Sequence, residues 1–164
     1  MIGTANGPMT LSLPVEANTE KTIITDVRLS DHGNWQHLHW NSIESAYNSS
    51  PFFEYYTDDL KPFFDKKFRY LFDFNEEIRE KMCELLEIKS TSQKTTTFLL
   101  ESEIPDGLVD LRNIIHPKKK MEIVDPLFTP KPYYQVFDRK FGFQPNFSIL
   151  DLLFNMGPEA ILYL

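Results

Sequence analysis

Apolar residues recur at helical spacing through the middle third of the chain. Trp40, Ile43 and Tyr47 are separated by three and four residues, between a polar, glycine-containing break and the small polar residues at 48–50. This spacing predicts an amphipathic helix, and Asn34 is placed to act as its N-cap.

Further helices are predicted between Pro51 and Ile88. Pro51 suits the first position of a helix, and the aromatic run after it continues as a helix that breaks near Thr57. Asp73 and Glu76 have the spacing of a capping box for the last helix of the region. The apolar and aromatic positions of these helices are Phe52, Phe53, Tyr55, Tyr56, Leu60, Phe64, Phe68, Leu71, Phe74, Ile78, Met82, Leu85 and Leu86.

Alternation of apolar and polar residues before Asp31 predicts a β-hairpin. Its two strands would carry Met9, Leu11, Leu13 and Val15, and Ile23, Thr25, Val27 and Leu29. Because a lone hairpin is marginally stable in water, these strands need further partners. The β-branched and apolar segment Thr95–Leu100 is predicted to add a strand to this sheet.

The closing stretch places two polar residues one helical turn apart in an almost wholly apolar run. Ser148 can N-cap a short helix with Asp151 reaching back as in a capping box, Gly157 suits the stop, and Pro158 can open a second short helix. Capping does not explain Asn155, which follows Asp151 by four residues and shares its helix face. This pair is either a buried hydrogen-bond anchor or part of a site.

These elements predict an α+β fold: a small β-sheet packed against a helical middle region and closed by short, capped C-terminal helices. With 164 residues, of which 41% are hydrophobic and 25% charged, the chain is long enough for one domain spanning 1–164. Aromatic residues make up 14% of the chain, which indicates aromatic core packing or a stacking surface.

Composition excludes several classes of function. A net charge of −7 and a pI near 5.1 argue against a nucleic-acid partner, because phosphate binding needs a concentrated basic face. Cys83 is the single cysteine, so an internal disulfide is excluded and the reducing cytoplasm is the expected compartment. No segment has the length and apolar content of a membrane span, and no glycine-rich phosphate-binding motif is present.

Three histidines between His32 and Trp40 raise the question of a metal site. His37 and His39 are two residues apart, so on a helix their side chains diverge by about 200° and cannot coordinate the same metal ion. Metal binding is therefore not predicted. His39 shares a helix face with Trp35, and a neutral imidazole there would serve as a base or a donor near pH 7.

Gln135 follows two tyrosines, Tyr133 and Tyr134, in a segment that reads as a short strand over Tyr133–Phe137. Its amide can donate to and accept from a sugar hydroxyl or an amide substrate, while the ring of Tyr134 stacks on the apolar face of that substrate. A polar residue at a strand edge is the alternative reading.

Several separated blocks resemble the WbqC-like family of bacterial proteins along the whole chain. They are Ala5-Asn6-Gly7, Leu11-Ser12-Leu13-Pro14-Val15, Ile24-Thr25-Asp26-Val27, Trp35, His39-Trp40, Ser42-Ile43, Ala46-Tyr47, Ser50-Pro51-Phe52-Phe53, Tyr133, Gln135, and Leu150 through Gly157. Members of that family usually open with a segment resembling Q-P-x-Y-x-P, which this chain lacks. The resemblance therefore implies a domain that is shortened at its N-terminus.

The family occurs in surface-polysaccharide gene clusters and has been proposed to include glycyl transferases acting on O-antigen sugars. The resemblance thus implies an aminoacyl or acyl transferase that acts on a sugar or sugar nucleotide. In that reaction His39 is the candidate base, Gln135 and Asn155 are candidate donors, and Asp151 is an orienting carboxylate. Trp35 and Tyr134 are candidate substrate-binding residues, and no cofactor or activated donor is indicated.

Two other readings stay open. In one, the aromatic surface binds a sugar or a partner protein without catalysis, and His39 merely packs. In the other, the chain is a fragment that pairs with a missing N-terminal partner through an exposed strand edge.

Overall fold

A computed structural model describes residues 1–17, 19, 22–95, 97–112 and 129–164. The chain divides into two compact units, one formed by Met1–Ser90 with Pro130–Leu164 and the other by Thr91–Thr129. The prediction of a single domain stays a prediction.

The first unit combines a small sheet with helices, which confirms the predicted α+β class. Strand β1 (Ile2–Thr4) pairs with β2 (Gly7–Met9) in antiparallel register, with Ile2 opposite Met9 and Thr4 opposite Gly7. The α-helices are α1 (Trp35–Tyr47), α2 (Phe53–Leu60), α3 (Pro62–Asp65), α4 (Leu71–Leu85), α5 (Asp138–Phe141) and α6 (Ile149–Met156). Short 3₁₀ helices cover Ile24–Asp26, His32–Asn34 and Gly157–Tyr163.

The hairpin predicted over 9–29 is wrong as a pair of regular strands. A single antiparallel bridge joins Val15 and Leu29, flanked by the backbone bond from Glu16 N to Arg28 O at 3.0 Å. A 3₁₀ turn at Ile24–Asp26 interrupts the second predicted strand near its start. The backbone amide of Leu29 donates to the carbonyl of Arg69, outside the predicted hairpin. The sheet lies earlier instead, where the two residues between β1 and β2 close a tight hairpin.

Most of the predicted helices form, but the stripe predicted to run from Leu60 to Leu71 is divided: Phe68 lies in the non-helical residues 66–70 between α3 and α4. Several helix ends also differ. Asn34 occupies the N-cap position of α1 as predicted, but it has a left-handed conformation with φ of 47° and its side chain makes no capping bond. Helix α2 continues through the predicted break at Thr57, whose hydroxyl donates to the carbonyl of Phe53 at 2.8 Å. Helix α4 begins at Leu71, which places Asp73 inside the first turn instead of at the cap.

In the second unit, the strand predicted over Thr95–Leu100 is absent from its described residues. The backbone instead enters a 3₁₀ helix at Glu101–Glu103. The carboxylate of Glu103 accepts from the amide of Leu100 at 2.8 Å, and this local bond ties the start of the turn.

The C-terminal elements follow the prediction closely. The hydroxyl of Ser148 accepts from the amide of Leu150, and Gly157 ends α6 at φ +57°. A Cβ on Gly157 would lie 2.6 Å from the ring of Phe52. This position therefore needs glycine for two reasons: its positive φ and the lack of room for a side chain. Pro158 lies in the first turn of the following 3₁₀ helix.

Helix α6 forms the centre of the main core. Leu153 and Phe154 are fully buried, and the ring of Phe154 packs 5.1 Å from that of Phe53 and 5.2 Å from that of Tyr47. A second, smaller cluster is built around Leu29, Trp35 and Phe74. Across the described ranges no helix has the length and apolar character needed to cross a membrane.

Candidate functional site

Asp151 lies at the centre of a buried hydrogen-bond network. Only 2% of the residue is exposed. Its Oδ1 accepts from the hydroxyl of Tyr47 at 2.7 Å, and its Oδ2 accepts from the hydroxyl of Tyr133 at 2.7 Å and from Nε2 of Gln135 at 3.0 Å. Three donors directed at two oxygens suit an ionised carboxylate, which only accepts.

The network joins four separated parts of the chain. Helix α6 presents Asp151, α1 presents Tyr47 from its last turn, and the segment before α5 supplies Tyr133 and Gln135. The amide of Gly3 in β1 donates to the hydroxyl of Tyr47 at 3.1 Å. The capping box predicted for Asp151 is therefore wrong, because its carboxylate bonds to these side chains instead of reaching back to Ser148.

The amide of Gln135 is fixed by two bonds to the backbone of Gln144. The amide of Gln144 donates to Oε1 at 2.8 Å, and Nε2 donates to the carbonyl of Gln144 at 2.9 Å. This pairing sets which side-chain atom is the donor, and Nε2 is thereby directed to Asp151 as well. The described residues Tyr133–Phe137 form no regular strand, so the side chain of Gln135 makes the backbone pairing that a strand neighbour would make.

Asn155 supports the network from within α6. Its Nδ2 donates to the backbone carbonyl of Asp151 at 2.7 Å, while its Oδ1 is buried without a hydrogen-bond partner among the described residues. Asn155 thus contacts the backbone beneath the carboxylate and does not reach the carboxylate itself.

A small pocket with a cavity volume of about 20 Å³, enough for one water-sized group, lies beside the network. We call it the Asp151 pocket. Its polar side chains include those of Asp151, Tyr47 and Gln135, and its lining residues are Gly3, Thr4, Gly7, Pro8, Tyr47, Gln135, Val136, Phe137, Phe141, Gly142, Gln144, Phe147 and Asp151. Aromatic walls with a few fixed polar groups are typical of small-molecule sites.

The structure brings Gln135, Asp151 and Asn155 together but places the other site candidates elsewhere. His39 packs against Trp35 with ring centroids 5.3 Å apart, and Trp35 belongs to the second core cluster. Eight residues separate His39 from Tyr47 on α1, which is about 12 Å along the helix axis. Tyr134 is 49% exposed. None of the three residues Tyr134, His39 and Trp35 lines the Asp151 pocket.

Partial burial lowers the pKa of His39 below its usual value, and a hydrogen bond to the backbone of Ser12 opposes this shift. The imidazole is therefore neutral at pH 7. In the part of the chain that the structure describes, no group of three His, Cys, Asp or Glu side chains is placed to hold a metal ion.

A comparison with models of protein families tests the resemblance to the WbqC-like family. The sequence model of the WbqC-like protein family matches residues 1–121, which is more than half of the chain. The chain belongs to the WbqC-like protein family. No curated protein and no solved structure matches it. The matched segment of this WbqC-like protein includes Gly3, His39 and Tyr47, whereas Gln135 and Asp151 lie beyond it.

Sequence reasoning missed Tyr47, Tyr133 and Gly3 as members of the site. Tyr47 reads as the last apolar position of the α1 stripe, and its hydroxyl gives no separate signal. Tyr133 could have been predicted as a site residue, because it lies two residues before Gln135 and extended residues at that spacing point to the same side.

Alkaline pH is expected to destabilise this WbqC-like protein through Tyr47, which is buried, and Tyr133, which is partly buried. Burial raises the pKa of Tyr47 and of Tyr133 well above the usual value, and the negative charge of Asp151 raises both further. The folded state therefore keeps protons that the unfolded state loses above about pH 10, so the stabilisation is complete below that pH and is lost as pH rises. Urea unfolding should show the free energy falling by up to about 1.4 kcal/mol per tyrosine per pH unit above this point.

The variant Tyr47→Phe should reduce the slope with which the free energy of unfolding falls at alkaline pH. Tyr55→Phe, at a tyrosine that is 71% exposed, should leave that slope unchanged. An identical alkaline slope in wild type and Tyr47→Phe would contradict the assignment.

Proposed function

We propose that this WbqC-like protein acts in the bacterial cytoplasm as an acyl or aminoacyl (glycyl) transferase in surface-polysaccharide (O-antigen) biosynthesis. In this proposal the Asp151 pocket binds one functional group of the sugar or sugar-nucleotide substrate. The observation that supports it is the buried carboxylate in the pocket wall, fixed by Tyr47 and Gln135 and faced by phenylalanine rings. Fixed polar groups orient substrate hydroxyls, and aromatic faces cover the apolar side of a sugar ring.

The transfer requires a nucleophile, an acyl carbonyl and a base. A substrate hydroxyl or amine attacks the carbonyl carbon of an activated acyl group, the bond to the leaving group breaks, and the proton passes to the base. His39, which lies outside the Asp151 pocket, is the proposed base because its neutral imidazole accepts a proton near pH 7. The reacting group of the substrate would therefore have to extend beyond the pocket. Asp151 orients Gln135, Asn155 contacts the backbone below it, and Tyr134 offers an exposed aromatic face to the substrate. Trp35, the other substrate-binding candidate, is buried and supports His39 from behind.

Binding without catalysis is the second candidate function. It is favoured by the position of His39, which packs on Trp35 and does not line the Asp151 pocket. In that case the protein would hold a sugar for another enzyme, and His39 would contribute only packing.

Deleting the gene in its host and analysing the surface polysaccharide by mass spectrometry tests the proposal. We expect the mutant to lose an acyl or aminoacyl substituent, which wild type and His37→Gln restore and His39→Gln does not. His37 is the matched control because it is an exposed histidine on the same helix. An unchanged polysaccharide would reject the transferase, and restoration by His39→Gln would remove His39 as the base.

A further inference from the structure

The carboxylate of Asp151 is buried without a compensating cation among the described residues. Its three partners are two phenol hydroxyls and one amide, all of them neutral. In the described ranges no lysine, arginine or histidine forms an ion pair with it. Buried charges in proteins are usually paired with an opposite charge or a metal, so this site is electrostatically incomplete.

Lys140 lies beside the pocket wall but is engaged elsewhere. Its ammonium donates to the carbonyl of Ala5 at 2.7 Å and stands 4.9 Å from the centre of the Phe141 ring. These contacts place its charge on the β1–β2 loop and on one wall residue. They leave the carboxylate of Asp151 without an ion-pair partner among the described residues.

Gly3 lets the ring of Phe147 pack closely against β1 beside the carboxylate. A Cβ at this position would lie 3.4 Å from Oδ1 of Asp151 and 2.8 Å from the ring of Phe147. The backbone of Gly3 has no positive φ that would require glycine, so the missing side chain matters for space. The rings of Phe137, Phe141 and Phe147 line the same pocket. Ring faces attract cations, and a site that combines them with a carboxylate favours a positive group.

We propose that the Asp151 pocket binds a primary ammonium group of the substrate, paired with the Asp151 carboxylate and covered by the phenylalanine rings. This inference rests on the proposed function, since it names the chemical class of the ligand at the same site. A carboxylate partner holds an amine in its protonated form, which has no lone pair for attack. The ammonium is therefore the group by which the substrate is recognised, and the acyl group is transferred to or from another atom.

A matched pair of small probes tests the charge requirement on wild-type protein. Propylammonium and 1-propanol are titrated at pH 7 while the Gly3 amide and the Gln135 side-chain amide are followed by NMR. We expect saturable shifts of both signals with propylammonium and at least tenfold weaker binding of 1-propanol, which corresponds to about 1.4 kcal/mol. Equal binding of the two probes, or no shift with either, would overturn the inference.

Two further probe pairs distinguish the source of the ammonium. Glucosamine against glucose tests an amino-sugar substrate, and glycinamide against acetamide tests an aminoacyl group. The pair with the larger preference for its amine identifies the source, and no preference in either pair would count against the inference.

Altering the pocket wall provides the variant test. Gly3→Ala should abolish the propylammonium shift at Gln135, because its methyl group would lie 2.8 Å from the Phe147 ring and would displace this ring in the pocket wall. Ala5→Ser is the matched control, since it adds one atom to the exposed loop of the same hairpin outside the pocket lining. With both variants folded by near-UV circular dichroism, undiminished binding in Gly3→Ala would place the cation elsewhere and overturn the inference.

The outcome is separable from that of the proposed function. Ammonium-selective binding together with an unchanged polysaccharide in the deletion strain would reject the transferase and keep the ammonium site. A lost polysaccharide substituent together with equal binding of propylammonium and 1-propanol would keep the transferase and reject the ammonium site.

Discussion

Replacing Asp151 with alanine is expected to lower the free energy of unfolding by about 3–5 kcal/mol. The substitution removes the acceptor of the Tyr47 and Tyr133 hydroxyls and one acceptor of the Gln135 amide. A hydrogen bond to a charged group contributes about 1.5–3 kcal/mol, and donors left buried without an acceptor lose their solvation in addition. Urea unfolding followed by circular dichroism measures the change.

The matched control is Asp73→Ala. Asp73 occupies the third position of α4, as Asp151 does in α6, but it is exposed. Its carboxylate interacts mainly with the helix dipole, so its loss should cost about 0.3–1 kcal/mol. Similar losses for the two variants would show that Asp151 acts only as a helix N-terminal charge and that the network adds no stability.

Replacing Leu153 with alanine is expected to destabilise the protein by about 2–5 kcal/mol. Leu153 is fully buried in α6, in a helix whose residues 150–155 are all buried. A helix enclosed on every side relaxes poorly around a missing side chain, so much of the cavity should remain. Thermal and urea unfolding of the variant check this expectation.

Leu162→Ala supplies the same chemical change at a surface site. Leu162 is 64% exposed, so its truncation should alter the free energy of unfolding by no more than about 0.5 kcal/mol. A comparable loss in both leucine variants would mean that α6 is not the centre of the core.

Local patterns predicted the elements whose stability comes from neighbouring residues. The apolar stripe ending at Tyr47 predicted α1, and Ser148 with Gly157 predicted the two ends of α6. The hairpin over 9–29 was predicted wrongly, because alternation shows that a segment fits a sheet without showing which segment it pairs with. The backbone groups of residues 27–30 bond partly to Pro14–Glu16 and partly to Arg69–Leu71, and neither pairing extends into a regular ladder.

The candidate site was predicted in part. Asp151, Asn155 and Gln135 attracted notice because each is a polar residue in apolar or aromatic surroundings, and all three are buried in one network. Their partners were beyond local reasoning, since 104 residues separate Tyr47 from Asp151 and 44 separate Gly3 from Tyr47. The histidine that local chemistry favoured, His39, packs with Trp35 beside a different cluster.

The sequence by itself determined most helices of the middle region, both caps of α6 and the presence of an acid and an amide at one turn's spacing in an apolar run. Those features depend on propensities and periodicities that act within a few residues. Only the tertiary structure decided that Asp151 faces two tyrosines, a glutamine and a glycine-lined pocket. The physical reason is that a buried carboxylate must find its donors in space, and the packing of α1, β1 and α6 brings those donors to it.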